Sequence, residues 1–318
     1  MASDLFYNRD SNISGVTIET DYADLNLTPV YGSKASFKSK NFTYEVDDFQ
    51  INSIPSSLNR LMAEYKVRYD VNETNAKKIA AFIESKNGNQ LFEFNIDNSG
   101  IYKSLSGVSD NYGINHMNNQ HYEVAVSYSV DEAPNLFNWS GMNFVNLNVP
   151  TFDSSSEYEK YDVVYMNNNT NKLNNFYYCT GDHNASSAEY SPTGSSSFWT
   201  QDFFFKPDIG FQNDVKLKNE VLEFKNSFKQ RIKTKDNNAS FPVNYTFTDI
   251  SDKQLKCMLH FLENKAGYRR FRHDIESVYN RPKVMYCPEW DHTWKFYNAH
   301  DLNVALVEDV LGVIPTGS

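Results

Sequence analysis

Residues Ser251–Arg272 read SDKQLKCMLHFLENKAGYRRFR. Ser251 followed three positions later by Gln254 has the form of a helix capping box. Leu255, Met258, Leu259 and Leu262 then recur at i, i+3, i+4 and i+7, the spacing of one apolar helical face. Gly267 supplies a stop, after which Tyr268, Arg269, Arg270 and Phe271 resume an extended, aromatic pattern. The stretch Asn72–Glu93, NETNAKKIAAFIESKNGNQLFE, has the same layout. Asn72 stands at the cap, Ala76, Ile79, Ala80 and Ile83 form the stripe, Gly88 closes it, and Leu91 and Phe92 open a strand. Each stripe residue, and the glycine, lies 179 positions before its counterpart. Two copies of one folding unit are the simplest explanation.

The flanking pattern extends the match. Tyr65, Val67 and Tyr69 alternate with Lys66 and Arg68 before the first helix, and Val243, Tyr245 and Phe247 alternate before the second, a half-buried strand in each case. Tyr122, Val124, Val126, Tyr128 and Val130 alternate at the end of the first copy, and Leu302, Val304 and Leu306 at the end of the second. Matching Tyr65 to Val243 needs a shift of 178, and matching Tyr122 to Leu302 a shift of 180, as one-residue insertions between elements would give. Asn95–Asn119 is rich in Asn, Ser, Asp and Gly and is expected to be a long functional or mobile loop. The expected fold class is α+β: two tandem antiparallel-sheet domains, each with one flanking helix, separated by a small all-β insert. The boundaries fall at 1–133 for an N-terminal arm and first domain, 134–207 for the insert and 208–318 for the second domain. Two short aromatic strands, Tyr161–Tyr165 and Phe176–Cys179, mark the insert, which is poor in aliphatics and is expected to project from the body.

A chain of 318 residues can bury several cores, and 21 Tyr with 23 Phe favour strands over disorder. The formal charge of −10, with no long Lys/Arg run, argues against a protein that grips nucleic acid through its phosphates. Nothing approaches the ~18 apolar residues of a membrane span, and Met1–Asp10 lacks a secretory pattern, so a product made soluble in the cytoplasm is expected. The three cysteines, Cys179, Cys257 and Cys287, are too scattered for a disulfide scaffold, and matches such as Asn138–Ser140 to a glycosylation motif mean nothing without a secretory route.

The series Phe224, Lys225, Asn226, Ser227, Phe228, Lys229, Gln230, Arg231, then the helix, then Tyr268, Arg269, Arg270, Phe271 and later Cys287, Pro288, Glu289, Trp290, resembles the lambda-type minor tail protein M family of long-tailed bacteriophages. That family has an aromatic-x-Gln-Arg opening, a strand, a helix, a Gly-Tyr turn and a Cys-x-x-Trp element. The resemblance covers about a third of the chain. Ser227 stands where the family has Gly, and the first copy lacks the Gln-Arg and Cys-x-x-Trp elements. The resemblance implies a tail-tube-like fold assembled in rings around a DNA channel. With two such domains per chain it implies a homotrimer forming a pseudo-hexameric ring in the virion, at the tail tip. Its partners would be tail-tube, distal-tail and hub proteins, and genomic DNA would pass through without specific binding. The insert resembles a type 3 chitin-binding carbohydrate module: Glu157–Tyr165 is similar to that module's Tyr-x-x-Gly-Asp-x-Val strand, with Tyr161 in place of Gly. That implies contact with cell-surface glycan through Tyr158, Tyr165, Tyr177, Tyr178 and Trp199. The competing reading of these rings is the insert's own core, since it must bury something.

Chemistry is sparse. Cys179 with His183, His116 with His121 and Cys287 with His292 have ligand-like spacing, but no Cys/His quartet forms, so no metal is expected. His121 and His300 are 179 apart and read as matched strand-edge residues. Glu157 with Glu159, or Glu289 with Asp291, could flank a sugar, but the default for such carboxylates is solvation. Arg269, Arg270, Arg272 and His273 could touch DNA or form salt bridges between subunits. No phosphate loop, nucleophile elbow or zinc-protease motif occurs, and neither a cofactor nor an enzyme is expected. A receptor-binding protein acting through the insert, and a tail-associated glycan hydrolase, remain as alternatives.

Overall fold

In a computed structural model the described residues are 16–19, 21–39, 41–46, 50–55, 61–94, 100–118, 120–130, 144–168, 175–184, 191–193, 197–208, 212–213, 216–217, 220–223, 229–232, 239–240, 242–274 and 282–309. After a 3-10 turn at Tyr22–Leu25, β1 (Lys34–Ser39) leads to the hairpin β2 (Asn41–Val46) and β3 (Gln50–Pro55). Then follow β4 (Leu61–Val71), α1 (Glu73–Lys86), β5 (Phe92–Phe94), β6 (Leu105–Asn118) and β7 (His121–Val130). The middle of the chain carries β8 (Glu157–Tyr158), β9 (Val163–Tyr165), β10 (Phe176–Cys179), β11 (His183–Asn184) and β12 (Trp199–Thr200). The rest is β13 (Gln212–Asn213), β14 (Lys216–Leu217), β15 (Glu220–Glu223), β16 (Lys229–Ile232), β17 (Ala239–Ser240), β18 (Val243–Ile250), α2 (Asp252–Lys265), β19 (Phe271–His273), β20 (Lys283–Phe296) and β21 (Ala299–Glu308). The class is α+β, dominated by antiparallel sheet.

One sheet organises the molecule. Its order is β13-β18-β21-β20-β1-β4-β7-β6-β5, with β19 also on β20. The pairing repeats at a shift of 178. Asn111 lies opposite Ser127 and Ile114 opposite Val124, as Glu289 lies opposite Ala305 and His292 opposite Leu302. Even the irregularities recur, between Val108 and Asn111 and between Tyr286 and Glu289. The small hairpins share their register, Phe42 opposite Ile54 and Glu220 opposite Ile232. Lys34 opposite Lys66 and Lys38 opposite Met62 in β1–β4 become Gln212 opposite Asn244 and Lys216 opposite Ser240, so β13 and β14 together are the counterpart of β1. Just before these strands, the bond from Val30 N–H to the Arg68 carbonyl (2.8 Å) recurs from Asp208 N–H to the Thr246 carbonyl (3.2 Å).

Both helices are shifted by 179 because β18 carries one extra residue, a bulge between Phe247 and Ile250 with Asp249 at φ 53°. A shorter connection into β20 then restores 178. The last strands therefore match Leu302 to Val124, not to Tyr122. His300 matches Tyr122, so the pairing of His121 with His300 is an accident of spacing.

The caps are local chemistry. The Asn72 side chain accepts from Asn75 N–H at 2.9 Å, and Ser251 Oγ accepts from Gln254 N–H at 3.3 Å. The chain leaves each helix one residue before the glycine, through Asn87 and Ala266 in the left-handed region, and Gly88 and Gly267 follow with positive φ. All eight stripe residues, Ala76, Ile79, Ala80, Ile83, Leu255, Met258, Leu259 and Leu262, are buried. Burial of each of the larger ones is worth about 1.5–3 kcal/mol. One apolar cluster runs through both repeats.

Two sequence expectations change. Within Asn95–Asn119, residues 105–118 are the long strand β6; residues 95–99 and Asn119 lie outside the described residues. The stretch reads as a loop because most of it from Asn111 onward is exposed at a sheet edge, which removes the apolar alternation that marks a half-buried strand. The middle segment does not project; it lies on α2. Tyr178 OH meets His260 Nδ1 at 3.1 Å, and both oxygens of Glu263 accept backbone N–H groups, from Phe144 at 3.0 Å and Val145 at 3.2 Å. Lys253 pairs with Glu159 and Asp162 at 2.8 and 2.9 Å. The back of α2 carries Phe261 as well as His260, and an aromatic surface of that size requires a cover.

Candidate functional site

The feature with most built-in chemistry is the seam between the repeats. β1 belongs to the first repeat by register, yet its far edge is bonded to β20 of the second: Lys34 faces Lys66 on one side and Thr293 on the other. The strand KASFKS alternates, burying Ala35 and Phe37. The Phe37 ring stacks on Trp290 at 5.4 Å and meets Tyr65 and Phe144 edge-on at 5.9 and 5.5 Å. Such pairs add about 0.5–1.5 kcal/mol beyond the area they bury.

A polar chain crosses this apolar seam. Tyr102 OH is 3.0 Å from His292 Nδ1, His292 Nε2 is 3.0 Å from His300 Nδ1, and His300 Nε2 is 2.6 Å from Asp252 Oδ1. Asp252 opens α2, where the helix dipole favours its negative charge, and an ionised carboxylate only accepts. The carboxylate therefore places a proton on His300 Nε2, and one further proton is shared across the His292 Nε2–His300 Nδ1 link. Burial, with His300 beside it, holds His292 well below the ordinary histidine range, so His292 is neutral in this arrangement. The counterparts in the first repeat are Ile114, Tyr122 and Glu73, so the chain exists only at the seam. A satisfied buried network of this kind specifies one arrangement of the two repeats.

The five candidate glycan-binding aromatics are divided. Tyr158, Tyr178 and Trp199 are buried, whereas Tyr165 and Tyr177 are half-buried. Tyr178 faces α2; Tyr158 and Trp199 pack together with Phe152, at 5.1 Å from each other. In the β9–β10 pair Tyr165 lies opposite Phe176 and Tyr177 opposite Val164, so the two part-exposed rings are on opposite faces and form no common platform. Tyr161 adopts φ 73°, in the left-handed region that favours glycine. Its ring is held beside Phe204 and Phe205 at 6.0 and 6.3 Å.

The remaining candidates are structural in their placement. Cys179 Sγ lies 3.6 Å from His183 Nδ1, but among the described residues no third ligand joins them. Cys257 and Cys287 are buried, and burial raises both thiols. Glu159 and Asp162 share Lys253, and Glu289 is 4.0 Å from Lys38. The basic cluster disperses: Arg270 is paired with Asp309 within the chain, and His273 is buried between Tyr245 OH at 2.7 Å and the Phe203 carbonyl at 3.2 Å. Burial pushes His273 down to about 4. Of the residues that carry the resemblance to tail proteins, Phe224–Phe228 lie outside the described residues, Gln230 and Arg231 lie in β16, and Trp290 packs at the seam. No helix among the described residues is long and apolar enough to cross a membrane.

Sequence reasoning missed the seam. Its signals were present but short: the alternation of Ala35 and Phe37, and of Trp290, His292 and Trp294. No protein-family model matches the chain, and no curated protein matches it in sequence.

Proposed function

We propose that this chain is a structural component of a bacteriophage tail tip, in which three copies form a pseudo-hexameric ring that continues the tail tube and encloses the DNA channel. The observation that carries the reading is the 178-residue repetition of one pairing scheme within a single continuous sheet, the two repeats joined edge to edge in the same sense. Such a head-to-tail junction is heterologous, and heterologous junctions propagate into rings or filaments. The likeness to lambda-type tail proteins, carried by Gln230, Arg231, Tyr268 and Cys287–Trp290, supports a ring around DNA. A charge of −10 suits a wall along which DNA slides without being held.

In this reading the middle segment is a brace on α2. Burial of Tyr158, Tyr178 and Trp199 withdraws three of the five rings from any sugar, so adhesion through this segment is the lesser role. Negative-stain microscopy of the purified chain tests the proposal. Six-lobed rings with three-fold modulation are expected, and a field of single particles the size of one chain would refute it.

A further inference from the structure

Each repeat has two edges, and the chain uses only one of each kind. The outer edge of β1 is bonded to β20, from Lys34 opposite Thr293 to Lys38 opposite Glu289. At the ends of the sheet the counterparts of these edges are left over. Among the described residues β13 is bonded to β18 alone, and beyond the short β5 pairing at Leu105–Gly107 the edge of β6 has no partner strand. Both ends thus carry half of a junction that the molecule has already made once in its middle.

The side chains record the difference. Trp290, His292 and Trp294 are buried on β20; at the matching positions of β6, Tyr112 is half-buried, Ile114 is 45% exposed and His116 is exposed. What covers the first set is β1 and the repeat behind it. Nothing described covers the second, and an exposed strand edge with apolar side chains is a template for another strand. On the β13 side the approach to the edge is also repeated. Pro29 and Gly32 precede β1 as Pro207 and Gly210 precede β13 in the sequence, and Gly32 N–H bonds across the seam to the Trp294 carbonyl at 2.6 Å.

We propose that β13 of one copy pairs with β6 of the next, antiparallel, in the register of the β1–β20 seam, placing Gln212 opposite Asn115 and Asn213 opposite Ile114 of the neighbouring copy. The occupant of each free edge is a second copy of this chain, because the only surface shown to fit one edge is the counterpart of the other. The polar chain of Tyr102, His292 and His300 has no equivalent around Ile114, so the junction between copies is apolar where the internal one is polar. For the number of copies that close the circle, the proposal rests on the ring reading above.

Cysteine pairs in the full-length chain test it. Directly opposite residues of an antiparallel pair have Cα atoms about 4.5–5.5 Å apart, within disulfide range. Lys34→Cys with Thr293→Cys is the positive control and should oxidise within one chain. Asn115→Cys with Gln212→Cys should oxidise between chains under the same conditions, whereas Asn115→Cys with Lys216→Cys, out of register, and each single variant should not. Unchanged melting temperatures confirm that the variants fold. Cross-linking of the test pair into closed trimers supports both the pairing and the ring. A ladder running beyond three chains supports the pairing and overturns the three-chain ring. A trimer by mass without the disulfide, in a preparation where the control pair oxidises, overturns the pairing and leaves the ring; a monomer without it overturns both.

Discussion

Phe37 of β1 lies nearly flat on Trp290 of β20, with ring centroids 5.4 Å apart and planes 14° from parallel, and this stack is the point at which the two repeats meet. Trp290 is also the last residue of the Cys-x-x-Trp element. Trp290→Ala should cost about 3–5 kcal/mol in urea unfolding, the range for a buried aromatic truncated to Ala. Hydrogen exchange should quicken first in β1 and β20. Retention of parental protection in both strands would mean that the stack does not hold the seam.

Leu259→Asp places a charge on the buried stripe of α2, and Ala80→Asp does the same on α1. Each should destabilise by about 3 kcal/mol or more, since the carboxylate would be buried among apolar side chains. Thermal melts read the result. Parental behaviour in both variants would show that these faces are not core.

Acid should loosen the fold through its neutral histidines. Burial pushes His260 down to about 3 and His273 to about 4, and holds His292 well below the ordinary histidine range. In the unfolded chain each binds a proton near pH 6.5, so below that pH the unfolded state carries more protons and stability falls with pH. The contribution of His273 is fully present above pH 6.5 and is lost as pH falls to about 4, a change of about 3 kcal/mol at most. Denaturant midpoints measured from pH 7.5 to 4.5 should decline steadily. His273→Phe should reduce the slope by about one proton, and an unchanged slope would mean that His273 is not held neutral.

Gly267 follows α2 with φ +74°, and a Cβ there would strike the side chain of Ser39 at the end of β1. Gly267→Ala should cost about 1–3 kcal/mol from the positive φ, with the collision added. Ser39→Gly in the same chain should return part of the loss. Failure to do so would show that the cost is backbone strain alone.

The helices were legible because capping and 3.6-residue periodicity are local: Asn72, Ser251 and the eight stripe residues take the places their spacing implied. The strands of 65–69, 122–130 and 243–247 were legible for the same reason, each having one buried face. β6 was not, because from Asn111 onward most of it is exposed at a sheet edge and loses the alternation that marks a strand. Nor were the aromatic roles of the middle segment, since composition cannot tell a ring that binds from one that packs; Tyr178 and Trp199 are decided by α2 and Phe152. The His292–His300–Asp252 chain joins residues brought together by strand register and a helix start, a relation that spacing along the chain does not encode.

The most direct measurement is the mass of the full-length chain in solution, by sedimentation equilibrium over a range of concentrations. Three chains of 36.7 kDa in one closed species, independent of concentration above its dissociation threshold, is the expected result. A single 36.7 kDa species persisting at the highest concentration would contradict the ring.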